Sequence, residues 1–533
     1  MQRFTTSILL GGLLIMTALG APRPARALTT PALLDTLQHT GFNYFWNEAN
    51  ASNGLIKDRS TSTSPCSIAS VGFGLSAICI ASDHGWITRT QARSRVLTTL
   101  QTFWNGPQGP AISGTIGYRG LYYHWLDMST ATRTWDSELS TIDTALLFAG
   151  IIDARQYFDQ NNGTENQIRA LADSITWRAD WEFMRNLNAG ILMGWKPDTG
   201  FTGYGQWIGY NEAMIMYLLA LGSPTHPVPV SCWDTWTSGY NWSTQYGYTF
   251  VIFPPLFGHQ YSHCWIDFRN RWDAYMRKPE HRITYFENSQ RATLAQRAYC
   301  IANPLHRTGY SATLWGLTAS DDPFGYSAHG APPAQNDNGT ITPTAAASSI
   351  AFQPNEVIPT LHNFYNTYPA LFGTYGFKDA FNLDRNPDWY DTDFLGIDQG
   401  PIVIMIENYR TEKVWNRFMQ NPDIKRGLQQ AGFTEVVGIG EEHGTRPPFT
   451  LLQNAPNPFR GSSTIGYRLE STMAVKLRLL DIAGREVLVL VDAIQGPGTF
   501  QAQIPGESLP NGVYIYELQA GGKSVSRRAT LIR

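Results

Sequence analysis

The chain is poor in charge: Asp, Glu, Lys and Arg make up 16% of its 533 residues, against about 25% in average globular proteins. Neither sign dominates. With 40 Lys+Arg against 43 Asp+Glu and a net charge of -3, there is no basic excess to neutralise a phosphate backbone, so nucleic acid is not an expected partner. Cysteine is sparse as well. Cys66, Cys79, Cys232, Cys264 and Cys300 are odd in number, widely spaced and without a CxxC pair, which argues against a zinc ribbon or a dense disulfide scaffold and predicts buried free thiols. Beyond the N-terminal run, no stretch reaches the roughly 18 uninterrupted apolar residues of a membrane span. No His/Cys/Asp/Glu cluster has metal-ligand spacing, and neither a GxSxG elbow nor a Gly-rich phosphate loop occurs. Metal-dependent hydrolysis, serine esterase and kinase chemistry therefore find no support, and no metal or cofactor is expected.

What the chain has in quantity is aromatic side chains: 17 Trp, 25 Tyr and 26 Phe, 13% of the residues. A neutral, aromatic-rich protein suits an uncharged, hydroxyl-rich ligand. Sugar rings rest C–H faces on aromatic rings and need a few polar partners for their hydroxyls. Arg3 precedes an apolar run from Ile8 to Leu19, and Ala25-Arg26-Ala27 has the small-x-small form of a cleavage site. Residues 1–27 are therefore expected to be a signal peptide, leaving a soluble, exported protein, taken as a monomer, that crosses the periplasm.

From residue 28 to 434 the pattern is helical, with apolar or amphipathic runs at Ile68–Ser82, Thr90–Trp104, Ile142–Phe158, Ala213–Leu221, Ala292–Ala302, Ile402–Tyr409 and Lys413–Gln430. Ala213–Leu221 and Pro401–Ile406 are apolar on all sides, which requires protein all round them. Buried helices alternating with amphipathic ones predict a mainly α fold of two concentric layers, an α/α barrel of about six pairs. Residues 435–449 have linker composition. Residues 450–533 read as β: Val475–Leu479 alternates in period two, and Pro510-Asn511-Gly512 turns into Val513–Glu517, giving a small Ig-like β-sandwich.

Three sites in the helical region share one arrangement, a loop with Gly or aromatics, a carboxylate, then a buried helix. They are Trp135–Asp143 with Asp136, Glu138 and Asp143, Gly209–Glu212, and Gly396–Asp398. If the helices are neighbours in one ring, these carboxylates converge. The plainer explanation is helix capping, and Asp143, three residues after Ser140, fits it best. Glu212 follows Trp207 and Tyr210 and abuts Met214, Ile215 and Met216, a setting that raises a carboxyl pKa as a general acid requires. Asp398, between Gly396 and Gly400, is expected to remain hydrated and ionised, as a base does. Aromatics gather in the same loops: Trp104, Tyr118, Tyr122, Trp195, Trp207, Tyr210, Trp315, Trp389 and Tyr390. Stacking on sugar is the expectation for Trp195, Trp207 and Trp389, while the others serve either core or ligand. His124 either hydrogen-bonds a sugar hydroxyl or packs.

Two resemblances follow from motifs. Leu452–Phe459, Thr464-Ile465, Tyr467, Asp481–Gly484 and Gly512–Tyr514 resemble the type A C-terminal sorting domain of type IX secretion, which implies that export machinery as a partner and a secreted or cell-surface location. Phe45-Trp46, Gly54–Ser60, Gly120–His124, Ser137–Leu146, Gly209–Ala213, Asn288–Ala292, Trp315–Ser320 and Gly396–Pro401 resemble the bacterial glycoamylase-domain family, glycoside hydrolase family 144. That resemblance implies an (α/α)6 barrel and anomer-inverting hydrolysis of β-1,2-glucan, cut internally to sophorooligosaccharides or, in some relatives, from a chain end. By motif, Glu212 takes the general-acid place. Asp398 is the choice for base, with Glu138 next, and Arg59 lines the cleft. Tyr122, His124, Asp136, Asp143, Trp195, Trp207, Tyr210, Trp315 and Trp389 complete the candidate binding set. The competing readings are a lyase or another glycosidase on the same barrel, and a non-catalytic surface glycan-binding protein.

Overall fold

A computed structural model of the chain describes residues 28–333, 336–436, 449–481, 485–521 and 523–532. The expected signal peptide at 1–27 and most of the expected linker lie outside the described residues. The chain divides into two compact units, one ending at Val436 and the next beginning at Val437.

The first unit is built from helices α1 (Thr30–Asn47), α2 (Ile68–Asp83), α3 (Arg89–Asn105), α4 (Thr141–Tyr157), α5 (Gly163–Trp177), α6 (Trp181–Arg185), α7 (Met214–Gly222) and α8 (Ser231–Ser238). It continues through α9 (Tyr285–Ala302), α10 (Pro343–Ala347), α11 (Pro354–Thr367), α12 (Gly396–Thr411), α13 (Lys413–Phe418) and α14 (Pro422–Gln430). Helices α2, α4, α7 and α12 are buried along almost their whole length, as their all-round apolar composition demands. They form an inner ring in which α2 packs against both α4 and α12, and α4 against α7. Two 3-10 turns, Leu256–His259 and Tyr261–Cys264, and the single turn of α10 close it. Ser262 Oγ accepts from Ile215 N–H at 3.0 Å, and Gln260 Nε2 donates to Ala345 O at 2.8 Å. Around this ring lie α1, α3, α5, α9, α11 and α14, with α1 on α2 and α12, α5 on α4, and α14 on α7. This is an (α/α)6-type barrel in which the two consecutive 3-10 turns together fill one of the six inner positions and α10 fills another.

Glycines set the closest approaches. A Cβ on Gly150 of α4 would stand 1.9 Å from Gly72 O of α2, and one on Gly72 would stand 2.1 Å from Leu146 O. Only hydrogen fits there, so α2 and α4 touch backbone to backbone. The same device joins α7 to α14, where Cβ atoms on Gly222 and Gly427 would meet Asp423 O and Leu218 O at 2.1 and 2.0 Å.

Several boundaries differ from the sequence reading. Helix α9 starts at Tyr285, ahead of the apolar run at Ala292, because Thr284 and Glu287 form a capping box. The run Lys413–Gln430 is two helices, α13 and α14, split where Asn421 caps the second and Pro422 opens it. At the end of the unit Thr434–Glu435 pairs with Arg271–Trp272, so the chain at 435 is still strand, not yet linker. All five cysteines are buried and free.

The second unit has two antiparallel sheets. One holds Phe449–Leu451, Ser462–Leu469 and Gly498–Pro505, and the other holds Met473–Leu480, Glu486–Gln495, Gly512–Ala520 and Lys523–Leu531. Inward residues from both, among them Ile465, Tyr467, Leu477, Leu479, Tyr516 and Leu518, share one core. Phe449, assigned to the linker by composition, is part of that core.

Candidate active site

The inner helices α4, α7 and α12 begin close to one cavity of about 780 Å³, within the roughly 300–1,000 Å³ typical of small-ligand pockets. Its walls include Arg59, His124, Glu138, Asp143, Trp207 and Glu212 from the residues expected by sequence, joined by Asp58, Trp125, Trp135, Tyr204, Tyr261 and Tyr326.

Glu212 stands immediately before α7, where Ser262 Oγ donates to its carbonyl at 3.1 Å and fixes the turn. Its Oε2 is buried with no hydrogen-bond partner. Burial, with the Asp143 charge in support, pushes the carboxyl up to about 7. The group is therefore an acid that still holds its proton close to neutrality.

Across the same wall, His124 links two carboxylates. Its Nδ1 lies 3.0 Å from Glu138 Oε1 and its Nε2 lies 3.6 Å from Asp143 Oδ1. Burial alone would lower the imidazole, but the Asp143 and Glu138 charges raise it to about 9. The reverse holds for Glu138, where burial pulls upward and the His124 contact more than offsets it, leaving the carboxyl below its usual range. Asp143 is both cap and wall: Ser140 Oγ donates to Asp143 Oδ2 at 2.5 Å and accepts from its backbone N–H at 3.2 Å. Both readings of this residue from sequence hold as geometry. Trp207 sits at the wall with Nε1 donating to Thr141 Oγ1 at 3.0 Å.

Asp398 lies in the first turn of α12 and is 2% exposed. It is not part of the lining, although Leu395 and Ile397 are. The hydrated setting expected from its flanking glycines is absent, because those glycines serve packing: Cβ atoms on Gly396 and Gly400 would meet Ser70 Oγ and Phe73 Cγ at 2.2 and 2.3 Å. Burial instead raises Asp398 to about 7, with Asp321 and Asp58 adding and Asp379 and Arg59 subtracting. The Arg59 guanidinium donates to Asp321 Oδ2 at 2.8 Å and Asp58 Oδ2 at 3.2 Å, with Asp393 Oδ2 at 3.7 Å. Segment 58–60 reaches this place by running beside the start of α12, with Gly396 N–H bonded to Asp58 O at 2.8 Å and Ser60 N–H to Phe394 O at 3.1 Å.

Six expected binding residues do not line the cavity. Tyr122 is fully buried with its OH donating to Phe103 O at 3.0 Å, and Trp315 is fully buried with Nε1 donating to Thr360 Oγ1 at 2.8 Å. Tyr210 packs against Trp236, Tyr240, His259 and Tyr285. Trp195 is 9% exposed, wedged between Tyr118 and Phe183. All four are core, as befits large rings that loops fold back onto the barrel. Asp136 is an exposed ion-pair partner of Arg133 and Lys196, and Trp389 is half-buried in a short strand against Asn382. Conversely, sequence reasoning passed over Trp135, which lines the cavity, is 66% exposed and has φ 54°. A bulky residue in the left-handed region is strained, and the signal available was its place beside Asp136 in the first motif. Tyr204, Tyr261 and Tyr326 carried no motif at all.

Barrel and cleft together define a protein of the glycoside-hydrolase class, with a protonated acid and ionised or shareable carboxylates around one sugar-sized hollow. Comparison with known proteins agrees. Residues 204–422 match the Glycoamylase family, and residues 455–532 match the secretion system C-terminal sorting domain. A solved glucoamylase-like protein from Bacteroides uniformis is 35% identical with TM-score 0.71, covering 77% of this chain and 99% of that one. An endo-β-1,2-glucanase from Chitinophaga pinensis, solved with sophorotriose and glucose, is 30% identical with TM-score 0.70, covering 77% and 99%. An exo β-1,2-glucooligosaccharide sophorohydrolase (non-reducing end) from Parabacteroides distasonis is 31% identical over 437 residues, 76% of this chain, and the match spans 58% of that relative. The chain belongs to the glycoamylase-like family, of the glycoside hydrolase family 144 type, and carries a C-terminal sorting domain of the type IX kind.

Proposed function

We propose that the protein is an exported hydrolase of β-1,2-glucan that cuts within the chain, releases sophorooligosaccharides and inverts the anomeric centre. The observation that carries this reading is Glu212, a cavity-wall carboxyl whose buried Oε2 has no protein partner and whose proton is retained to about pH 7. A group in that state can give its proton to a departing glycosidic oxygen. The C1–O bond then breaks, water adds to C1 from the opposite face, and the water's proton passes to Asp398. Because Asp398 is set back from the wall, that proton travels through a water or a sugar hydroxyl, with Tyr261 and Tyr326 lining the route. Glu138, kept ionised by His124, is the alternative base. Arg59, His124, Asp143 and Trp207 hold the sugar, with Trp135 as an outer platform.

Support for the substrate comes from relatives named for β-1,2-glucan, one endo-acting and one a sophorohydrolase. We further propose that the C-terminal unit is an Ig-like sandwich that serves export, with residues 1–27 as the leader and the linker separating the two jobs. The test is linear β-1,2-glucan followed by product sizing and proton NMR of the first-formed anomer. A ladder of oligosaccharides born as the α-anomer is expected. Sophorose alone would assign chain-end action, and a β-anomer would rule out inversion.

A further inference from the structure

Asp398 and Asp379 pose a problem of charge. Both are 2% exposed, and Asp398 Oδ1, Asp398 Oδ2 and Asp379 Oδ1 have no hydrogen-bond donor. Asp379 is nevertheless within hydrogen-bond reach of Asp398. Two buried carboxylates cannot lie together as anions with neither a donor nor a cation between them. The surroundings make matters worse, since Asp321 and Asp58 add negative charge at Asp398 and Asp391 adds it at Asp379, with the Arg59 cation set against them at Asp398. Arg59 is already shared among Asp58, Asp321 and Asp393.

We infer that Asp379 carries a proton on Oδ1 and donates it as a hydrogen bond to Asp398, acting as the positioning residue that keeps Asp398 ionised and aimed. Geometry decides which of the two holds the proton. Asp398 is in the first turn of α12, where the helix dipole favours an anion. Asp379 belongs to a loop, and its Oδ2 is already an acceptor, receiving Asp321 N–H at 2.7 Å. That bond fixes the carboxyl and leaves Oδ1 as the free end. The loop itself is pinned by Asp379 N–H to Asp393 O at 3.1 Å and Asp391 N–H to Ala380 O at 2.9 Å. Burial, reinforced by the Asp398 charge, holds Asp379 well above the usual carboxylate range, in agreement with the assignment.

The inference rests on Asp398 being the base, and its test has an arm that does not. A protonated Asp is mimicked by Asn, whose Oδ1 can accept from Asp321 N–H while Nδ2 donates to Asp398. Asp379→Asn is therefore expected to keep kcat within about threefold of wild type with an unchanged acid limb. Asp379→Leu, which cannot donate, should lose about 10–100-fold, the weight of a hydrogen bond to a charged group, and shift its acid limb to higher pH with little change in KM. Independently of substrate, the infrared difference spectrum between the intact wild type and Asp379→Asn at pH 8, above the titration of Glu212 and Asp398, should show a protonated-carboxyl C=O band present only in the wild type. Loss of activity in Asp379→Asn comparable to that of Asp398→Asn, or a difference spectrum without that band, would overturn the inference. An active Asp398→Asn variant would instead remove the reading of Asp398 as base while the infrared result stands.

Discussion

Burial pulls two carboxyls on one wall the same way, upward, and the partner decides where each ends. Glu212 has no cation nearby and rises to about 7, whereas Glu138, in contact with His124, stays below its usual range. Loss of the Glu212 proton donor in Glu212→Gln should cost about 10²–10⁴-fold in turnover. The same change should raise the melting temperature at pH 8. Above pH 7 the folded protein holds a desolvated Glu212 carboxylate, a penalty that begins as pH rises past the unfolded value of 4.5 and is complete above about 7. At pH 5 the folded carboxyl is neutral and the two melting curves should nearly coincide. A higher melting point at pH 5 than at pH 8 relative to wild type would contradict the assignment. Activity needs Glu212 protonated and Asp398 ionised, and both titrate at about 7. The rate profile is thus expected to be a narrow bell centred close to pH 7, its acid limb set by Asp398 and its alkaline limb by Glu212. A flat profile from pH 5 to 9 would exclude the pair.

At the scale of elements, the cleft depends on how tightly the inner helices meet. Gly150→Ala forces a methyl group against Gly72 O, and overpacking of this kind costs about 1–3 kcal/mol. Denaturant unfolding should register that loss, while per-molecule turnover of the remaining folded protein changes little. A stability equal to wild type would mean that α2 and α4 do not touch as described. The inner helices were legible in the sequence because an all-round apolar run such as Ala213–Leu221 has no other place to go. The outer helices α1, α5 and α11 were missed, since a half-polar helix among loops looks like its surroundings, and α11 even contains Pro359. The carboxylates were found because each opens an inner helix, a position the chain order reveals. Trp195, Tyr210 and Trp315 were misplaced for a related reason: a loop that folds back over the barrel buries its aromatics, and local composition does not say which loops do so. Asp321 comes from the short strand Ala319–Asp322 and Asp379 and Asp391 from separate loops, and together they carry no local pattern.

At the scale of the molecule, the residues lining the cavity run from Asp58 to Ile397, all within the unit that ends at Val436. A chain stopped at Val436 should therefore keep its kcat/KM within a few-fold of the full chain while losing the sorting function proposed for the rest. A truncated chain that folds yet is inactive would assign the second unit a part in catalysis. The central claim is that Glu212 drives hydrolysis of β-1,2-glucan in this cleft. Its most direct test is the rate of reducing-end release from linear β-1,2-glucan by wild type and Glu212→Gln, side by side at pH 7. Rapid release by the first and a fall of about 10²–10⁴-fold in the second is the expected result. Equal rates in the two, or no release by either, would contradict the account.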